Sequence, residues 1–158
     1  MSDSTPGKTT DNGPTTSSTT ASSGGVRRVL KGLAQVGLGA SLLFAGTSHL
    51  TVAREEFQAQ VPDWFPIDHD VVVLVSRVVE LALGAGLVAT WQQPYRRRLG
   101  ILVALFFVVI FPGNVAQYLE HKDGFGLDTD EKRLLRLPFQ AVLVAWALLA
   151  TRQPRSER

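Results

Sequence analysis

The chain alternates between long apolar runs and short charged connections. Apolar residues dominate from about Gly32 to Leu50, Val71 to Trp91, Leu99 to Val115 and Leu134 to Ala150. Each run approaches or exceeds the ~17 residues that an α-helix needs to cross a bilayer. The third, with "ILVALFFVVIF", and the fourth sit near that lower limit. One such run would fit a buried helix of a soluble protein. Four in 158 residues leave too few polar side chains to cover them. The pattern predicts an all-α, integral membrane four-helix bundle with multi-pass topology.

The connections carry the charge, and they carry it unevenly. Arg27, Arg28 and Lys31 precede the first run; Arg96, Arg97 and Arg98 separate the second from the third; Arg152, Arg155 and Arg158 follow the fourth. The stretch 51–70 holds one cation, Arg54, and 116–133 holds three, Lys122, Lys132 and Arg133, but both are rich in carboxylates. Arginine on alternate connections predicts both termini on the cytoplasmic side of a plasma membrane. The formal net charge of +2 then reflects membrane flanks, and nucleic acid is not an expected partner. The first run exceeds the length of a signal-peptide core, follows a polar tail and precedes no A-x-A site, so it reads as a retained span.

Residues 1–25 are mostly Ser, Thr, Gly and Pro. They have almost nothing to bury and are expected to form a disordered cytoplasmic tail. The membrane domain is expected over 26–152, with a short cytoplasmic tail over 153–158. The chain has no cysteine, which excludes disulfides, thiolate metal sites and a Cys-x-x-Cys motif. His49, His69 and His121 lack metal-ligand spacing, and "DGFGLDTDE" lacks the EF-hand spacing and reads as a solvated loop.

Polar positions inside the runs are few and share one half of the bilayer. The second helix enters from outside, which puts Arg77 about 9 Å and Glu80 about 14 Å deep, on one helix face. The fourth also enters from outside, with Arg136 near its start and Gln140 one turn deeper. The first and third leave outward, ending near His49 and near Asn114 and Gln117. The inner half reads as almost free of polar side chains. A charge at mid-helix costs at least ~2.5–3.5 kcal/mol on insertion scales, so Arg77 and Glu80 must face the interior. They form either a structural ion pair or part of an outward-facing polar site. His49, Arg77, Glu80, Asn114, Arg136 and Gln140 are the candidate cofactor-binding residues. Pro112, Gly113 and Pro138 interrupt the helices beside them, which is tolerated where backbone lines a cavity.

Two local patterns bear on packing. Gly37, Ser41 and Ala45, then Ala82 with Gly86 and Ala85 with Ala89, are rows of small residues that let helices approach closely. They serve either packing within the chain or a homodimer face. In "TVAREEFQAQVPDWFP", Val52, Phe57 and Val61 recur at helical spacing before Trp64 and Phe65, flanked by Pro62 and Pro66. This predicts a short interfacial helix and an aromatic wedge between the first two spans, acting as a membrane anchor or as a lid.

Together the stretches "GTSHLTVAREEFQAQVPDWFP", "RRRLGILVALFFVVIFPGNVAQYLE" and "LRLPFQAVLVAWAL" resemble the DoxX-like family of small four-helix bacterial membrane proteins. The resemblance rests on His49, Val61–Pro66, Ser76 with Glu80, Phe111–Asn114 and Arg136–Gln140, in order over roughly residues 37–150. Arg77 follows Ser76 where the family pattern has Gly. The resemblance implies a four-helix bundle in a bacterial plasma membrane and a link to respiratory or oxidative-stress redox complexes. The expected role is a quinone-associated or accessory subunit of a membrane oxidoreductase complex, with quinone as cofactor and other redox subunits as partners. A quinone carbonyl calls for donors such as Arg77, Arg136, Asn114 and His49, while Glu80 could carry a proton. A non-catalytic assembly or anchoring subunit and a small anion transporter using the two arginines are the alternatives.

Overall fold

The computed structural model describes residues 20–48, 57–58, 60–124 and 126–153. Four helices follow one another: α1 Thr20–Ser48, α2 His69–Ala89, α3 Tyr95–Leu119 and α4 Asp130–Thr151. All four are long and apolar enough to cross a membrane. The protein is an all-α, integral-membrane four-helix bundle. At 1.5 Å per residue even the 21 residues of α2 cover a ~30 Å hydrocarbon layer. The third and fourth spans are longer than their apolar runs, at 25 and 22 residues. Polar first and last turns extend each helix past the hydrocarbon layer, where hydropathy no longer marks it.

Side-chain chemistry sets the helix starts. Asp68 caps α2 by accepting from the backbone N–H groups of Asp70 (2.9 Å) and Val71 (3.3 Å). Thr129 caps α4 through the N–H of Lys132 (3.4 Å), and Asp130 and Glu131 in the first turn suit the positive end of the helix dipole. Pro112 and Pro138 lie inside α3 and α4, and both helices continue through them.

The helices pack mainly as two antiparallel pairs, α1 with α2 and α3 with α4, joined across α1–α4 and α2–α3. Glycines set the closest approaches. A Cβ on Gly39 would meet the Gly84 carbonyl at 3.0 Å, and one on Gly84 would meet the Gly39 carbonyl at 2.9 Å. A Cβ on Gly100 would fall 1.8 Å from Thr151 Oγ1. The expected rows take part only in places: Gly37 and Gly86 pack against Trp146 and Leu99, Ser41, Ala82, Ala85 and Ala89 are exposed, and Gly39, Gly46 and Gly84 join α1 to α2. Spacing of four alone could not choose among several small residues, because the inward faces follow 35–38–42–46 and 73–80–84–87.

The apolar core comprises Leu38, Leu42, Leu87, Val103, Ala104, Phe107 and Ala147, drawn from all four helices. It fills the half of the bundle near the arginine-rich connections. Large apolar residues such as Phe44, Val109 and Leu135 point outward, as lipid contact requires. The interfacial helix expected between α1 and α2 falls mostly on residues outside the described ones. No such helix is resolved among the described residues: Phe57 and Gln58 are helical, and the chain then turns at Gln60. Trp64 and Ile67 are exposed there, whereas Val61 is buried.

Candidate functional site

Beyond the apolar core the interior turns polar. Asn114 and Gln117 on α3 and Gln140 on α4 are all at least nine-tenths buried. Asn114 Nδ2 donates to Gln140 Oε1 at 3.1 Å, and Gln140 Nε2 donates to the Phe107 carbonyl at 2.5 Å. One turn nearer the surface, Arg136 donates through Nη1 to Gln117 Oε1 at 3.2 Å, and Gln117 reaches the Lys122 carbonyl at 3.4 Å. Turned with its oxygen inward, the Gln60 amide accepts from Arg136 Nη1 and Nη2 at 3.2 and 3.0 Å. A polar ladder therefore descends from Gln60 through Arg136 and Gln117 to Asn114 and Gln140. Asn114 Oδ1 is buried and has no hydrogen-bond partner among the described residues. Such an atom costs about 1–3 kcal/mol unless a donor reaches it.

The second helix contributes to the same half. Glu80 is buried and Arg77 half-buried on the inward face of α2. Gly86 packs against Leu99, which fixes the relative heights of α2 and α3. From that contact, Glu80 lies about 9 Å and Phe107 about 12 Å towards the ladder, so Glu80 shares the layer of Gln140's acceptor. Of the expected site residues, Asn114 and Gln140 meet directly, Arg136 pairs separately with Gln117, and Arg77 and Glu80 lie on the inward face of α2. His49 lies outside the described residues.

A groove of about 310 Å³ opens beside the ladder between α3 and α4. Val108, Phe111, Leu137, Ala141 and Val144 line it, together with Gln140. Its volume is at the small end for ligand pockets, and its lining is apolar.

Above the ladder the 60–66 segment is clamped down. The Gln60 carbonyl sits over Gly113, where a Cβ would come within 2.4 Å of it. Gly113 is thus explained by this close approach and not by a broken helix, since α3 is continuous there. Lys122 Nζ holds the Val61 carbonyl (3.2 Å), Asp63 (2.6 Å) and Glu120 (2.7 Å). The Lys122 hydrogen bond keeps the Asp63 carboxyl below its usual value, with burial opposing. Burial pulls Lys122 down, but its bonds and charge pairing with Asp63 and Glu120 prevail and hold it above the ordinary lysine value.

Sequence reasoning missed two buried groups. Arg133 is only 6% exposed; it bonds Asp123, Asp130 (2.6 Å) and the Lys122 carbonyl (3.2 Å). The acidic loop is accordingly a clamp on an arginine and not merely solvated. At the opposite end Gln35 is fully buried and donates to the carbonyls of Leu87 (2.6 Å) and Thr90 (2.8 Å) at the end of α2. This corrects the expectation of an almost non-polar inner half. Its position between Ala34 and Val36 in an apolar run was the available signal.

A family model described as "Domain of unknown function (DUF8561)" matches residues 38–151. The chain belongs to this family. The DUF8561 stretch takes in the C-terminal part of α1 and the whole of α2, α3 and α4, including Glu80, Asn114, Arg136 and Gln140. Lys31 and Gln35 precede it. The four-span architecture is consistent with a DoxX-like fold class. No curated protein and no solved structure matches the chain.

Proposed function

We propose that this DUF8561 protein is a quinone-associated subunit of a membrane redox complex, and that its α3–α4 groove takes a quinol from the lipid phase. The observation that carries this reading is the groove: it is apolar, opens between two lipid-facing helices, and has Gln140 among its lining residues. An isoprenoid-tailed ligand suits such walls. Asn114, hydrogen-bonded to Gln140, has one buried acceptor with no partner among the described residues. Asn114 is not itself a lining residue of the groove; a quinol hydroxyl, a donor, matches that acceptor where a quinone carbonyl does not. Glu80, buried in the adjacent layer, is the ionisable group suited to exchanging a proton there.

The orientation is part of the proposal. The arginine-rich end faces the cytoplasm of a bacterial cell, and the Lys122 clamp faces outward. The charge distribution supports this: no acidic side chain occurs in 24–36, 85–104 or 145–153, whereas acids crowd 120–131.

A second reading is favoured by a separate observation. Apart from Asn114 Oδ1, the ladder largely closes upon itself, as an assembly or anchoring subunit would need. Mass spectrometry of lipids co-extracted with the purified chain separates the two. The ligand reading expects quinol or quinone in the unmodified chain and its loss in Gln140→Leu. A quinone-free chain carrying a stoichiometric protein partner would replace it with the anchoring reading.

A further inference from the structure

At the end of the bundle opposite the Lys122 clamp, two basic side chains reach the backbone of other segments. Arg96 Nη2 donates to the carbonyls of Lys31 (3.2 Å) and Ala150 (2.7 Å), and Lys31 Nζ donates to the Arg152 carbonyl (3.3 Å). These contacts tie α1, α3 and the end of α4 together. They also bring the residues Lys31, Arg96 and Arg152 to one helix-end region, where the Lys31 and Arg96 side chains meet neutral carbonyls and Arg152 is exposed. No carboxylate occurs among the described residues of this end. An anion placed at this end is attracted by its cations, with no carboxylate among the described residues there to compete.

Apolar surface lies immediately beside the cluster. The Trp91 ring packs over Gly32, where a Cβ would meet it at 3.4 Å. Trp91, Leu30 and Leu33 are more than half exposed. Charge at the helix end with tryptophan and leucine a turn away matches a molecule with an anionic head and acyl chains. A nucleic acid would use the charge but leave the leucines uncovered.

We propose that the Lys31–Arg96–Arg152 cluster binds the phosphate headgroup of an anionic phospholipid, with Trp91, Leu30 and Leu33 against its chains. The site lies at the other end of the bundle from the α3–α4 groove and does not depend on what that groove binds. Each cation at an anionic membrane surface contributes about fivefold in affinity. Removing two should lower the preference roughly twenty-five-fold.

The test uses the full chain reconstituted in phosphatidylcholine vesicles containing a minor fraction of brominated lipid. Quenching of Trp91 is read as the difference between the unmodified chain and Trp91→Phe. Brominated phosphatidylglycerol is expected to quench more strongly than brominated phosphatidylcholine at equal fraction. Lys31→Gln combined with Arg152→Gln should bring the two close to equality, and Lys132→Gln at the far end should change nothing. Arg96 is left in place because it holds helix ends. Raising salt to about 1 M, which shortens the Debye length to ~3 Å, should reduce the preference in the unmodified chain, so the proposal is tested even if the double variant folds poorly. Equal quenching by both lipids would overturn the proposal, as would a preference unaffected by the double substitution and by salt. Displacement of the phosphatidylglycerol by a short oligonucleotide at lower concentration than by inorganic phosphate would assign the cluster to nucleic acid instead.

Discussion

Replacing Gly100 by alanine tests the closest helix contact in the bundle. An added Cβ would lie 1.8 Å from Thr151 Oγ1, 2.6 Å from its Cβ and 2.8 Å from its Cγ2. Ordinary contact begins near 3.4 Å, so α3 and α4 would have to separate by more than 1 Å at this end. Thr151 is only 1% exposed and its hydroxyl is held by the Ala147 carbonyl at 2.8 Å, so rotation offers little relief. Overpacking of this kind costs about 1–3 kcal/mol. Separation would also stretch the Arg96–Ala150 and Gln93–Thr151 hydrogen bonds, which places the expectation at the upper end. The assay is the folded fraction during titration of a mild detergent with a denaturing one. Thr151→Ala should rescue Gly100→Ala only in part, because the Thr151 Cβ itself is too close; Thr151→Gly should rescue it further. A neutral Gly100→Ala, or equal rescue by both second substitutions, would refute this account of the contact.

Gln140→Leu leaves the Phe107 carbonyl and the Asn114 amide without their partner; about 1–3 kcal/mol should be lost in the same titration, and adding Asn114→Leu should recover part of it. Gly113→Ala should lift the 60–66 segment. Because the chain lacks cysteine, a thiol placed by Val61→Cys, where the native side chain is 4% exposed, should react faster with a polar maleimide in that background. The Lys122 clamp should follow pH from both sides. Asp63, held below 3.8, supports it above that value and ceases to as pH falls through its own folded value; Lys122, held above 10.5, supports it below that value and ceases to as pH rises past its folded value. Trp64 emission should change outside those limits, and Asp63→Asn should reduce the acid-side change, with Glu120 still held by Lys122.

The spans were legible because hydropathy over some twenty residues reports lipid contact directly. Their ends were not, since the polar first and last turns of α3 and α4 look like loops in sequence while making helix hydrogen bonds. Asn114, Arg136 and Gln140 could be placed in one half by counting residues from the charged connections. Their pairing could not be read that way, because it depends on the rotation of α3 against α4. Gln35 and Arg133 escaped notice for opposite reasons. One is a single polar residue in an apolar run, and the other a cation in a charged loop whose burial depends on how that loop folds back. Gly113 reads as a helix breaker in sequence, and its use became visible only with the Gln60 carbonyl lying over it.

The quinol reading is tested most directly by photolabelling. A quinol carrying a photoreactive group on its ring would be added to vesicles containing the full chain, and the crosslinked peptides mapped. The account predicts label concentrated on the residues lining the groove, from Val108 to Phe111 on α3 and from Leu137 to Val144 on α4, with competition by unlabelled quinol and loss in Gln140→Leu. Label spread evenly over the lipid-facing surfaces of all four helices, or unaffected by competitor, would contradict it.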